Sequence, residues 1–82
     1  MVTVLFFGRL KEELGIAQHS LELAAATDVS GLKSQLLAAQ PAWQELLLDD
    51  RVLVAVDQVM ATNESTVGVQ AEVAFFPPVT GG

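Results

Sequence analysis

The apolar positions of this chain change period along its length, and each change marks a boundary between elements. Residues 2–7 form a continuous apolar, β-branched and aromatic run stopped by Gly8, which reads as a strand. Arg9–Leu14 mixes charge with leucine and ends at Gly15, so a short helix follows. Over residues 18–23, Leu21 and Leu23 alternate with Ser20 and Glu22, the pattern of a second strand returning as a hairpin. Asp28 is a good N-cap, with Val29, Leu32, Leu36 and Leu37 at helical spacing after it. That helix is expected to run to about Gln40 and to halt before Pro41. Gly31, in its first turn, costs ~1 kcal/mol relative to alanine.

The second half is shorter in its elements. Residues 42–48 suit one further helical turn anchored by Trp43 and by Leu46 or Leu47, and Asp49-Asp50 then turns the chain. Residues 51–56 are a strongly β-branched strand, Val59–Ala61 a short edge segment and residues 62–68 a polar connection. Residues 71–76 make the last strand, closed by Pro77-Pro78, which lack amide donors. The order is β-β-α-β-β, and its first and last strands are the most apolar, as neighbours at the centre of a mixed sheet would be. A hairpin, a long crossing helix and a returning strand make an α+β protein of the β-grasp, ubiquitin-like type. Its mixed sheet carries one main crossing helix and short extra helices. Residues 1–76 are assigned to this domain and residues 77–82 to an extended C-terminal Gly-Gly tail.

Composition narrows the function. At 82 residues there is room for one small domain, which buries only ~60% of its unfolded surface and has little space for an enclosed active site. A self-contained enzyme is not expected. Four Lys and Arg stand against ten Asp and Glu, a net charge of −6. The four bases, Arg9, Lys11, Lys33 and Arg51, are scattered, so no basic patch exists for nucleic acid. Beyond Arg51 only acids remain, namely Asp57, Glu64 and Glu72, and a partner gripping that region should present basic groups. Cysteine is absent, which removes disulfides, thiolate metal sites and a thiol nucleophile and fits a reducing compartment. Neither a leader pattern nor an apolar stretch of ~20 residues is present, so the expectation is a cytoplasmic protein with no membrane partner.

Alternation also picks out a surface. If the main helix covers Val2, Val4 and Phe6, then Leu5, Phe7, Ala74 and Phe76 lie on the open side of the sheet. Contiguous exposed apolar area of this kind marks a partner surface, unless the inserted helices cover it. Elsewhere the candidates are weak. His19 is the only histidine and has no second nitrogen ligand, so no metal site is expected. Asp49-Asp50 reads as a solvated turn, Trp43 as a core anchor rather than a stacking platform, and Glu12-Glu13 as a solvated face. Gly8 and Gly15 are punctuation.

The most informative stretch is Phe75-Phe76-Pro77-Pro78-Val79-Thr80-Gly81-Gly82. Two prolines stiffen the segment and project it from the sheet. Val79 and Thr80 favour extended backbone, and Gly81 and Gly82 fit a channel too narrow for a side chain. Six extended residues reach at most ~20 Å, enough to carry a terminal carboxylate into another protein's active site. That carboxylate, ionised at neutral pH, is a poor electrophile and needs activation, most simply adenylation by ATP, before a nucleophile attacks. The competing reading is a frayed terminus of small residues.

Together with the opening Val4-Leu5-Phe6-Phe7 and the central Ala55-Val56-Asp57-Gln58, the block from Glu72 to Gly82 resembles the molybdopterin synthase small subunits, ubiquitin-like sulfur carriers. The family usually has Asn at the position of Asp57, a departure that bears on a turn contact. The resemblance implies that Gly82 is adenylated by a partner similar to ubiquitin-activating enzymes and converted to a thiocarboxylate by a sulfur donor protein. The loaded tail then enters the large synthase subunit and gives sulfur to a pterin precursor, with two carriers around a large-subunit dimer. It also implies that Phe7, Met60 and Phe76 make the apolar contact with partners, while Pro77, Pro78, Val79, Thr80 and Gly81 insert. ATP belongs to the adenylating partner, and this chain is expected to bind no cofactor itself. Three other functions share these features: a carrier for thiamine or another thiolated product, a ubiquitin-like modifier joined to target lysines, and a non-catalytic docking domain.

Overall fold

The computed structural model describes residues 1–77, organised around a mixed five-stranded sheet. Strands β1 (Val2–Phe6) and β2 (Gln18–Leu21) form an antiparallel hairpin with helix α1 (Arg9–Leu14) in its connection. A two-residue strand β3 (Thr27–Asp28) leads into the main helix α2 (Val29–Ala39). A 3-10 turn, Pro41–Trp43, and a short helix α3 (Gln44–Leu47) follow, because Pro41 cannot continue the ladder of helical hydrogen bonds. Strands β4 (Leu53–Val56) and β5 (Val59–Ala61) form the second hairpin, β6 (Thr66–Val67) lies apart, and β7 (Glu72–Phe76) closes the chain's described part. The sheet order is β2-β1-β7-β4-β5, with β1 and β7 parallel and every other pairing antiparallel. The two most apolar strands are indeed central neighbours, and the architecture is the β-grasp.

One face of the sheet makes the core. Val2, Val4 and Phe6 of β1 and Val73 and Phe75 of β7 cluster with Val29, Leu32 and Leu36 of α2. Phe6, Phe75, Leu32 and Leu36 are fully buried, and each such side chain contributes ~1.5–3 kcal/mol by leaving water. Trp43 seals one end with its ring edge-on to Phe6, centroids 5.3 Å apart, so it is a core anchor as expected. His19 sits edge-on to the same indole at 5.2 Å.

The structure departs from the sequence reading in three places. Residues 62–68 are more than a polar connection. Thr66–Val67 pairs with Thr27–Asp28 as a second, two-stranded sheet, and Val67 is wholly buried. A two-residue strand is too short to show a period, which is why alternation did not reveal it. The same segment caps α2: Ser65 and Asn63 carbonyls accept from the Val29 and Ser30 N–H groups, both at 3.0 Å. Two of the four amides that a helix start leaves free are thereby satisfied.

Second, Gly31 is not a defect in α2. Its N–H donates to the Asp28 carboxylate at 2.7 Å, and a Cβ at this position would collide with the Thr27 hydroxyl. Third, the strands are shorter than expected, β1 and β7 by one residue each and β2 and β4 by two. β4 starts at Leu53 because Arg51 is held in the preceding turn by Asp49, whose carboxylate accepts from the Arg51 N–H at 2.9 Å and from its guanidinium at 2.9 and 3.1 Å. Those bonds hold the Asp49 carboxyl below its usual range. β2 stops at Leu21, and Leu23 goes to the core from a loop.

Gly31→Ala is therefore expected to lower the urea midpoint, opposite in sign to helix propensity. Leu36→Ala is expected to cost ~2–5 kcal/mol in the same denaturation experiment.

Candidate functional site: the open sheet face and the root of the tail

Among the described residues the other face of the sheet carries no helix, since α2 packs with the core set and Leu10 of α1 is buried in it. Strand register arranges this face in rows. Leu53 stands opposite Phe76. In the next row Met60, Ala55, Ala74 and Leu5 are successive cross-strand neighbours. The third row is polar, with Glu72 beside Thr3 and Thr3 beside Ser20. The apolar rows lie at the end of β7 where the chain leaves the sheet.

Phe7 joins this face although it lies one residue past β1. Its N–H donates to the Phe75 carbonyl at 3.1 Å, which continues the parallel ladder. Its ring stacks on Phe76 with centroids 5.0 Å apart and planes 7° from parallel. Such a pair adds ~0.5–1.5 kcal/mol beyond area burial. Phe7 is 42% exposed and Met60 61%, large values for side chains of this hydrophobicity. The open side read from alternation is thus open, and the inserted helices do not cover it.

Phe7, Phe76 and Met60 line one shallow cleft together with Leu5. Its floor is small: Ala55 and Ala74 are nearly buried. Gln58 and Glu72 border it at the polar end. Of the residues singled out from the sequence, the structure brings Phe7, Met60 and Phe76 together. Pro77 follows directly, and a Cβ on Gly8 would stand only 3.0 Å from its ring. Gly8 also has φ +57°, so this glycine does more than stop the first strand. Pro78, Val79, Thr80, Gly81 and Gly82 lie outside the described residues.

The β4–β5 hairpin fixes the cleft's polar end. Asp57 and Gln58 both have positive φ, 49° and 69°, as a two-residue turn of the right twist requires. Asp57 donates its N–H to the Glu72 carbonyl at 2.8 Å and accepts the Glu72 N–H on its carboxylate at 3.0 Å. The turn contact in question at this position is therefore made, with a carboxylate oxygen in place of a carboxamide oxygen. Sequence reasoning missed Leu53, Ala55 and Gln58, and marked Glu72 only as one acid of a region expected to meet basic groups. Alternation in β4 already placed Leu53 and Ala55 opposite Val54 and Val56, and only the pairing partner was lacking.

Elsewhere the chemistry is sparse. Among the described residues there is no group of three His, Asp or Glu side chains able to hold a metal ion. Lys33 donates to the Asn63 side-chain oxygen at 2.9 Å, and burial pushes its ammonium below the usual value against the opposing influence of Asp50. Arg9 and Glu13 form an exposed i, i+4 pair at 4.0 Å. No helix among the described residues is long and apolar enough to cross a membrane.

Comparison with known proteins finds relatives over the whole chain. The model of the ThiS family matches residues 4–82. The molybdopterin synthase sulfur carrier subunit of Haemophilus influenzae is 38% identical over 82 residues, covering 100% of both chains. That of Escherichia coli is 37% identical over 83 residues, again with 100% of both covered. Among solved structures, SAMP1 from Haloferax volcanii superimposes with a TM-score of 0.84 at 24% identity, covering 99% of this chain and 98% of that one. That likeness is one of fold.

Asp57→Ala is expected to lower stability by ~1 kcal/mol through loss of the bond to the Glu72 N–H, while Asp57→Asn retains it. Thermal unfolding of the two variants checks the difference.

Proposed function

The chain belongs to the ThiS family, and from that premise we propose that it is the sulfur-carrier subunit of molybdopterin synthase. The observation that supports this reading best is the placement of the Phe7–Phe76 stack immediately before Pro77. An apolar docking face continuous with the root of a stiff, narrow tail is what a carrier needs: one part is gripped while the other is delivered.

In this reading the Gly82 carboxylate attacks the α-phosphorus of ATP held by a ubiquitin-activating-like partner, releasing pyrophosphate and leaving an acyl-adenylate. Sulfur delivered by a donor protein at the sulfide level attacks the acyl carbon, the C–O bond to the phosphate breaks with AMP as leaving group, and the terminus becomes a thiocarboxylate. The large subunit of the synthase then binds the Phe7, Met60 and Phe76 face and takes in Pro77, Pro78, Val79, Thr80 and Gly81 as an extended strip. Sulfur passes to a pterin precursor, cyclic pyranopterin monophosphate, and water restores the carboxylate. This chain holds no cofactor of its own, acts in the cytoplasm and assembles as two copies on a large-subunit dimer. The curated relatives, full-length matches named as molybdopterin synthase subunits, favour this acceptor over a thiamine precursor.

Intact-protein mass spectrometry of the chain from its native cells is expected to show oxygen replaced by sulfur at Gly82 alone. A plain carboxylate in every molecule after incubation with ATP, the adenylating partner and a sulfur donor overturns the proposal. Deleting Gly82 is expected to abolish sulfur transfer with an unchanged thermal midpoint. Phe76→Asp, which puts a charge into the apolar contact, is expected to weaken binding of the large subunit at least tenfold by calorimetry.

A further inference from the structure

The polar end of the cleft carries chemistry that an apolar docking face does not require. Glu72 is exposed, shares the open face with Ala74 and Phe76, and borders the cleft beside Gln58. Its backbone N–H and carbonyl are both held by Asp57, so its position on the rim is set. The ion pairs among the described residues are Arg9–Glu13 and Arg51–Asp49, and neither involves Glu72. No Lys or Arg follows Arg51 in the sequence. Below the carboxylate, Ala55 and Ala74 leave a recess between the larger Met60, Leu5 and Phe76 side chains.

We infer that this recess receives a long-stemmed basic side chain, arginine by its chemistry, from the protein that docks on Phe7 and Phe76. The recess suits such a residue along its whole length. The methylene stem lies over Ala55 and Ala74, as amphipathic side chains do on apolar surface. The guanidinium reaches the Glu72 carboxylate and the Gln58 side-chain oxygen, which border the cleft at its polar end. Met60, in the neighbouring row, and the docked partner itself shield the pair from water, which distinguishes it from an exposed salt bridge of negligible worth. An acidic rim on an otherwise apolar face also selects among partners, since an acidic or uncharged surface leaves Glu72 desolvated and unpaired. The inference rests on the carrier reading only in taking this face as the docking surface.

Calorimetric titration of the full chain with the molybdopterin synthase large subunit tests it, at about 0.05 M and about 0.3 M salt, where screening differs strongly. Glu72→Gln is expected to weaken binding ~tenfold at low salt and to remove most of the salt dependence. Ala55→Leu, which fills the recess and keeps the carboxylate, is expected to weaken binding by a similar factor. Thermal midpoints establish that each variant is folded. Wild-type affinity with an unchanged salt slope in Glu72→Gln overturns the inference. Phe76→Asp in the same series separates the two claims. Its loss of binding beside an unaffected Glu72→Gln removes the basic anchor and leaves the docking face, whereas full binding by Phe76→Asp removes the docking face itself.

Discussion

The parallel pairing of β1 with β7 is the constraint on which the rest of this small protein depends. It joins the first strand to the last described one, and its register sets Phe6 beside Phe75, carrying Phe7 on to Phe76. Parallel neighbours cannot be joined by a tight turn, so the chain between them must cross the sheet, and it does so over one face between β2 and β4. That crossover contains α2, and the side it covers becomes the core. The opposite face is left open by the same connection. Core and open face are two consequences of one pairing.

Within that frame the polar residues have specific tasks. Asp28 and the carbonyls of Asn63 and Ser65 satisfy the start of α2, which lets the second small sheet and the helix form as a unit. Asp57 ties the β4–β5 hairpin to β7 and so sets where Met60, Gln58 and Glu72 stand relative to one another. A shallow cleft on a protein this size is not shaped by packing on all sides. It is shaped by the register of four strands and by the alternation of large and small side chains along them.

Much of this was legible from residue order. Continuous apolar runs in β1 and β7 placed those strands at the sheet centre, and simple alternation along them separated Phe6 and Phe75 from Phe7 and Phe76. The parts that were not legible depend on contacts between distant segments. Nothing within residues 62–68 shows that Thr66–Val67 pairs with Thr27–Asp28 or that its neighbours cap a helix. Gly31 looked like a weak point because helix propensity is local, whereas its need for a missing Cβ comes from Thr27. The sequence marks Glu72 as one of three acids that call for a basic partner, and only strand pairing sets it beside an alanine-floored recess.

The position of β7 has a mechanical consequence. This strand lies between β1 and β4, hydrogen-bonded on both sides, and residues 77–82 follow it in sequence. Because β1 and β7 run parallel, tension between Met1 and the tail loads their hydrogen bonds in shear, all at once rather than one after another. A machine that drew the tail out of a partner's channel, or a protease that threaded the chain from that end, would therefore meet resistance along the whole length of the strand.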